Sequence, residues 1–135
     1  MKLNVGCGKR VIEGYEGIDI VDFGQTFVQD VRDGIPMYGV RWDEIRANHF
    51  LEHLDQAEAI KFLNDCYSKC DELYIEVPHK DNDGAYQLTH KTYYTEATFK
   101  ALERSDYPDY GIKNWKIKKM VTNDHQDLHV WMEPV

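Results

Sequence analysis

Leu3 and Val5 alternate with Lys2 and Asn4, and the same rhythm returns at Glu44 to Asn48, where Ile45 and Ala47 stand against Glu44, Arg46 and Asn48. Leu73, Ile75 and Val77 repeat it against Glu72, Tyr74 and Glu76. A period of two marks a strand with one buried face. With β-branched content and turn residues added, seven strands are predicted: Lys2 to Val5, Glu16 to Val21, Phe27 to Val31, Glu44 to Asn48, Glu72 to Val77, Trp115 to Val121 and Leu128 to Met132. Only five residues, Asp22 to Thr26, lead into the third, whereas a parallel crossover usually takes about a dozen.

Two stretches carry helical spacing instead. From Asp55 to Cys70 the apolar positions Leu54, Ala57, Ile60, Leu63, Tyr67 and Cys70 recur every three to four residues. A second helix starts near Thr95, whose hydroxyl caps it without a Glu or Gln three positions on, and Phe99 and Leu102 are its core contacts. Both helices fall in the second half. Right-handed crossovers put helices whose connections run the same way on one face of a sheet, and the early connections have no helix to cover the other. A parallel strand covered on both sides reads as an unbroken apolar run, yet these strands alternate. The pattern implies an α/β, mostly parallel seven-stranded sheet with helices mainly on one face. The other face is polar and aromatic, either wet or covered by a second subunit.

At 135 residues the chain is one domain, 1–135. Apolar residues make up 42%, enough for a core, which excludes a disordered chain. A formal charge of −8 argues against general nucleic-acid binding or an anionic membrane as partner. The basic cluster Lys113, Lys116, Lys118 and Lys119 reads as a solvated strand face. No apolar run reaches the roughly 18 residues of a membrane span, and no signal-peptide pattern opens the chain, so a cytoplasmic location is expected. Cys66 and Cys70 sit a helical turn apart in an apolar stripe and, with Cys7, read as buried thiols rather than a disulfide or metal set.

The first two strands flank a glycine turn, Gly6, Cys7, Gly8, and the second passes Ile18, Asp19 and Ile20. In a dinucleotide-binding unit a helix lies between, with the acid about 20 residues beyond the glycines. Here Asp19 follows Gly8 by eleven positions, and the six residues Lys9 to Gly14 leave no room for that helix. A pyrophosphate needs a helix N-terminus, so NAD, FAD and ATP are disfavoured. A ligand with a sulfonium, a ribose and an adenine but no phosphate does not need one. Asp19 suits the ribose hydroxyls, and Asp30, with the backbone of Val31, suits the adenine edge.

Four stretches in this order, "LNVGCGKRVIEGYEGIDI", "FVQDVRDGIP", "WDEIRANHFLEHL" and "THKTYYTEATFKAL", resemble the S-adenosylmethionine-dependent class I methyltransferases, closest to a small branch with a helix-poor N-terminal half. The resemblance runs from Leu3 to about Leu102 and implies a reduced Rossmann-like class I methyltransferase fold. It implies S-adenosylmethionine as cofactor, with Gly6, Cys7 and Gly8 as the methionine-side loop and Asp19, beside Ile20, at the ribose. Asp30 and Val31 then frame the adenine, and Asn48, His49 and Phe50 line the sulfonium side. The helix usual after the glycine loop is missing. No DPPY- or NPPY-like tetrapeptide follows the fourth strand, which in the family argues against an exocyclic-amine DNA methylase.

"HFLEH" also matches HxxEH, a zinc-peptidase pattern. His49 belongs to a strand end, however, so the i, i+4 geometry is incomplete, and no dedicated third ligand stands out. A metal-free site is expected, with Glu52 and His53 orienting the loop and helix start, the role the resemblance gives them; the alternative is a divalent ion near this stretch, as in the class I O-methyltransferases of catechol-like phenols that it also resembles. The seventeen residues Pro78 to Tyr94 form a long loop after a strand's C-terminal end, where ligands of open α/β sheets bind. His79, Tyr86, His90 and Tyr93 are its candidate substrate contacts. His90 is the first candidate base and His53 the second. The expected function is methyl transfer from S-adenosylmethionine to a small-molecule acceptor, in a homodimer whose bare faces or edges pair and bury Tyr74 and Trp131. The rival is a non-catalytic module of the same fold that holds S-adenosylmethionine or S-adenosylhomocysteine.

Overall fold

The computed structural model describes residues 1–104 and 110–135. Its strands are β1 (Lys2–Val5), β2 (Tyr15–Asp19), β3 (Phe27–Val28), β4 (Trp42–Asn48), β5 (Cys70–Pro78), β6 (Trp115–Thr122) and β7 (Asp127–Pro134). They form one sheet in the order β3-β2-β1-β4-β5-β7-β6. β1 to β5 pair in parallel, whereas β7 runs antiparallel to both β5 and β6, so the sheet is mixed. The order turns back at β1 and β4, which opens a crevice at the strands' C-terminal ends.

Two strands end earlier than their sequence patterns, each for a local reason. β2 stops at Asp19 instead of Val21 because the Asp19 carboxylate takes the Val21 N–H at 3.0 Å and turns the chain. β3 ends at Val28 rather than Val31 because Asp30 caps a 3-10 turn, Val31–Asp33, through the Arg32 N–H. The brief connection before β3 suffices because the strand needs to match only Ile18 and Asp19.

Helix α1 (Gln56–Lys69) lies between β4 and β5, and its capping box pairs Glu58 N–H with Asp55 Oδ1 at 2.8 Å and Asp55 N–H with Glu58 Oε1 at 3.0 Å. Its buried stripe is Ala59, Phe62, Leu63 and Cys66. The expected stripe through Ala57, Ile60 and Tyr67 is therefore corrected: Ala57 is exposed and the other two are partly buried. α2 (Glu96–Lys100) is short and runs into a 3-10 turn, Ala101–Glu103. At its start the Thr98 hydroxyl accepts from the Thr95 N–H at 3.2 Å. Phe99 and Leu102 are buried as expected.

Alternate residues of β1, β4, β5 and β7 meet these helices. Leu3, Val5, Ile18, Ile45, Ala47, Leu73, Ile75, Val77, Leu128, Val130 and Met132 form one core with the α1 stripe, Phe99 and Trp115. Among the described residues the opposite face has no helix, but it is not bare. Tyr74 is only 4% exposed there. Its ring lies under the Arg46 guanidinium at 4.6 Å and against Trp131 at 4.9 Å, while its hydroxyl reaches His129 Nδ1 at 2.7 Å. The basic cluster is likewise engaged: Lys118 pairs with Glu72, Lys116 with Glu133, Lys119 sits over Trp131 and Lys113 over Tyr67. Cys7, Cys66 and Cys70 are buried free thiols; burial pushes Cys70 up to about 12.

Candidate functional site

The glycine turn closes onto β2 instead of opening a helix. Gly6 and Cys7 both donate to the Ile18 carbonyl, at 2.9 and 3.2 Å. Gly6 has φ 63°, and a Cβ there would stand 2.8 Å from Phe50 Cδ1. Gly8 N–H then donates to Asp19 Oδ2 at 2.9 Å. With Val21 on its other oxygen, the Asp19 carboxylate is fixed at the mouth of the crevice, facing the turn.

A cavity of about 380 Å³ occupies this crevice. Gly6, Asp19, Ile20, Asp30, Val31, His49 and Phe50 line it, seven of the ten residues expected at the cofactor. Cys7 and Gly8 turn instead to a smaller depression, of about 230 Å³, with Asn4 and Gly17, where Cys7 Sγ and Gln25 Cβ leave no room for a Cβ on Gly17. Asn48 accepts from Arg46 Nε at 2.9 Å and does not line the cavity. Ile18, Gln29, Arg32, His53 and Leu54 complete the wall. Gln29 and Arg32 were not anticipated, although each is a neighbour of Asp30 in a stretch already singled out.

Asp30 is held more firmly than its sequence position suggests. Arg32 donates to it from Nε, at 3.0 Å to both oxygens, from Nη2 at 2.7 Å, and from the backbone at 2.9 Å, while also reaching Glu58. The arginine holds the Asp30 carboxyl below the usual carboxylate range.

Past β4 the backbone makes a sharp turn at His49, whose φ is 49°. Its N–H donates to the Glu76 carbonyl at 2.7 Å, and its Nε2 meets Glu76 Oε2 at 2.6 Å. Its Nδ1 approaches Glu52 Oε2 at 3.4 Å, an ionic contact without the alignment of a hydrogen bond. Glu52 raises the imidazole to about 9, with Glu76 and Asp127 adding and burial opposing. His49 is thus turned toward Glu76, and residues 51–53 form a 3-10 turn, so HxxEH does not make a helical zinc pair.

The long loop contributes unequally. His90 comes against His53, ring centroids 4.7 Å apart and nearly perpendicular, which unites the two candidate bases. Lys91 and Thr92 donate to the Glu52 carbonyl and pin the loop there. His79 is elsewhere: it is buried, with Nε2 on Glu96 at 2.7 Å and Nδ1 accepting from Asp81 N–H at 3.1 Å. Tyr86 and Tyr93 stack on each other at 5.3 Å and are exposed, and neither lines the cavity.

No protein-family model matches the chain. No curated protein matches it either. Solved structures do. A magnesium protoporphyrin IX methyltransferase (ChlM) from Synechocystis PCC 6803 with bound S-adenosylmethionine aligns at TM-score 0.64 and 16% identity, over 100% of this chain and 70% of that one. The mitomycin 7-O-methyltransferase MmcR aligns at 0.68 and 13%, over 99% and 48%. The plantazolicin methyltransferase BpumL in complex with S-adenosylhomocysteine aligns at 0.68 and 13%, over 98% and 75%. The fold is that of the class I methyltransferases. Within that methyltransferase fold the chain spans about half the length of MmcR, and its crevice at the β1 and β4 ends is where the sheet order turns back.

Proposed function

We propose that this chain binds S-adenosylmethionine in the 380 Å³ cavity and transfers its methyl group to a small-molecule acceptor. The observation that carries the reading is the convergence on that cavity of Gly6, Asp19, Ile20, Asp30, Val31, His49 and Phe50, brought together from four separate stretches of sequence. Each Asp19 oxygen spends one lone pair on a backbone N–H and keeps another for a ribose hydroxyl. Ile20 and Val31 offer apolar contact to an adenine, and the Arg32-clamped Asp30 stands at its edge. Phe50, packed over Gly6, and His49 bound the sulfonium side.

Bound there, the cofactor supplies a methyl group on positively charged sulfur, already a good leaving group. The chain's task is alignment, worth up to roughly 7 to 11 kcal/mol when reacting atoms are held in line. The acceptor's proton goes to the pair His53 and His90, of which His53 lines the cavity and His90 packs against it, a general-base contribution of about 10² to 10⁴-fold. Tyr86 and Tyr93 are exposed aromatic surface on the acceptor's approach. The reading also takes the protein as a cytoplasmic homodimer. Among the described residues no helix is long and apolar enough to cross a membrane.

An assay of S-adenosylhomocysteine release over a panel of small phenols, alcohols and amines tests the catalytic half. Turnover that falls at least about tenfold in His90→Ala, with cofactor binding kept, is the expected result. Cofactor binding with no turnover on any acceptor leaves the binding module in its place.

A further inference from the structure

Glu52 is 1% exposed, and neither of its carboxylate oxygens has a hydrogen-bond partner among the described residues. A buried carboxylate left this way is costly; the His49 imidazole approaches one oxygen at 3.4 Å, out of hydrogen-bond alignment, and leaves the other without a partner. One ligand atom from each of Glu52, His53 and His90 lies within 4.8 Å of the other two. These residues come from a 3-10 turn and from a loop 37 positions further on, so the meeting is tertiary and not a property of local sequence.

The imidazoles are arranged as metal ligands are. His53 Nδ1 faces the Thr89 carbonyl at 3.3 Å, and His90 Nδ1 faces the Ala85 carbonyl at 3.1 Å. A carbonyl only accepts, so each Nδ1 carries the proton and each Nε2 keeps its lone pair. A ligating histidine characteristically donates its other ring N–H to a backbone carbonyl in this way, which fixes tautomer and ring orientation. Neither Nε2 makes a hydrogen bond among the described residues. His49 takes no part, since its Nε2 is engaged by Glu76 at 2.6 Å.

We propose that Glu52, His53 and His90 form a binding site for one divalent transition-metal ion, against the metal-free site expected from sequence. Two imidazoles and a carboxylate are a donor set for zinc and its first-row neighbours, and three protein ligands leave positions open. His53 also lines the 380 Å³ cavity, so an open position faces the space assigned to cofactor and acceptor. The inference rests on the reading of that cluster and deepens it: with an ion held there the imidazoles would be ligands, and the metal would make an acceptor hydroxyl in an open position more acidic, its proton passing to water. The site itself rests only on these three side chains.

The test is equilibrium dialysis of the chelator-stripped full chain against zinc at neutral pH, without cofactor, so that its failure leaves the cofactor reading intact. One equivalent is expected, with affinity falling at least about tenfold in His90→Ala and in Glu52→Gln and unchanged in Asp127→Asn, which alters the separate group His49, Glu76 and Asp127. Cobalt in place of zinc is expected to give a ligand-field spectrum with no thiolate charge-transfer band. Absence of stoichiometric binding to the wild type overturns the proposal, whatever the variants do. So does binding that survives His90→Ala, that vanishes in Asp127→Asn, or that carries a thiolate band from the cysteines.

Discussion

Asp19 and Gly6 carry most of the crevice's geometry, and sequence spacing points to both. Asp19 stood at a strand end soon after the glycines, too near for a dinucleotide unit, and the structure places it against Gly8 at 2.9 Å. Asp19→Ala removes the acceptor for two backbone N–H groups, so a stability loss of about 1 to 3 kcal/mol is expected in urea unfolding. Cofactor affinity measured by calorimetry falls with it. Gly6→Ala meets both a left-handed backbone, at roughly 1 to 2 kcal/mol, and the Phe50 ring at 2.8 Å. A lower urea midpoint is expected, and an unchanged one contradicts the placement of Phe50. His79 was not legible in this way. Its partner Glu96 is seventeen positions away on another element, and nothing in the local pattern separates a histidine buried on a carboxylate from one facing a substrate.

The strands were legible as elements because alternation is a property of each strand alone, whereas their ends depend on single side chains. Asp19 and Asp30 each turned a β-branched run out of the sheet by accepting a backbone N–H two residues on. Helix α1 was legible in extent but not in orientation. Ala57, Ile60 and Tyr67 share helical spacing as Ala59, Phe62 and Cys66 do, and docking chose the second set, with Phe62 against Phe50 at 5.4 Å. The α1 capping box is expected to be worth about 1 kcal/mol, lost in Asp55→Ala and read from the urea midpoint.

The pin between the long loop, α2 and β6 titrates. Glu96 is brought down to about 2, first by its own backbone N–H, then by Thr122 and His79. A carboxyl that is more acidic folded than unfolded stabilises fully above the usual glutamate range, and the contribution drains away as pH falls from there toward 2. Glu96 is 41% exposed, so solvent screening keeps the effect modest. Melting temperature against pH is expected to fall less steeply across that window in Glu96→Gln than in the wild type.

At the scale of the molecule, a sheet without a second helical layer folds because its own side chains cover the gap. The accessible surface is 7500 Å², near the roughly 7,400 Å² that size scaling gives a compact monomer of 15.9 kDa. Tyr74 is already buried within one chain, so the proposed homodimer has more to gain at the β3 edge, where Ile20, Val21, Phe23 and Val28 are exposed. Sedimentation at micromolar concentration is expected to give a dimer, and a 15.9 kDa species contradicts it. The central claim is that the crevice takes a nucleoside bearing a sulfonium and has no seat for a diphosphate. Thermal denaturation with S-adenosylmethionine, S-adenosylhomocysteine and NAD compared side by side tests it most directly. A ligand at 100 times its dissociation constant adds about 2.7 kcal/mol, so the first two are expected to raise the melting temperature and NAD to leave it unchanged. Stabilisation by NAD, or by none of the three, contradicts the account.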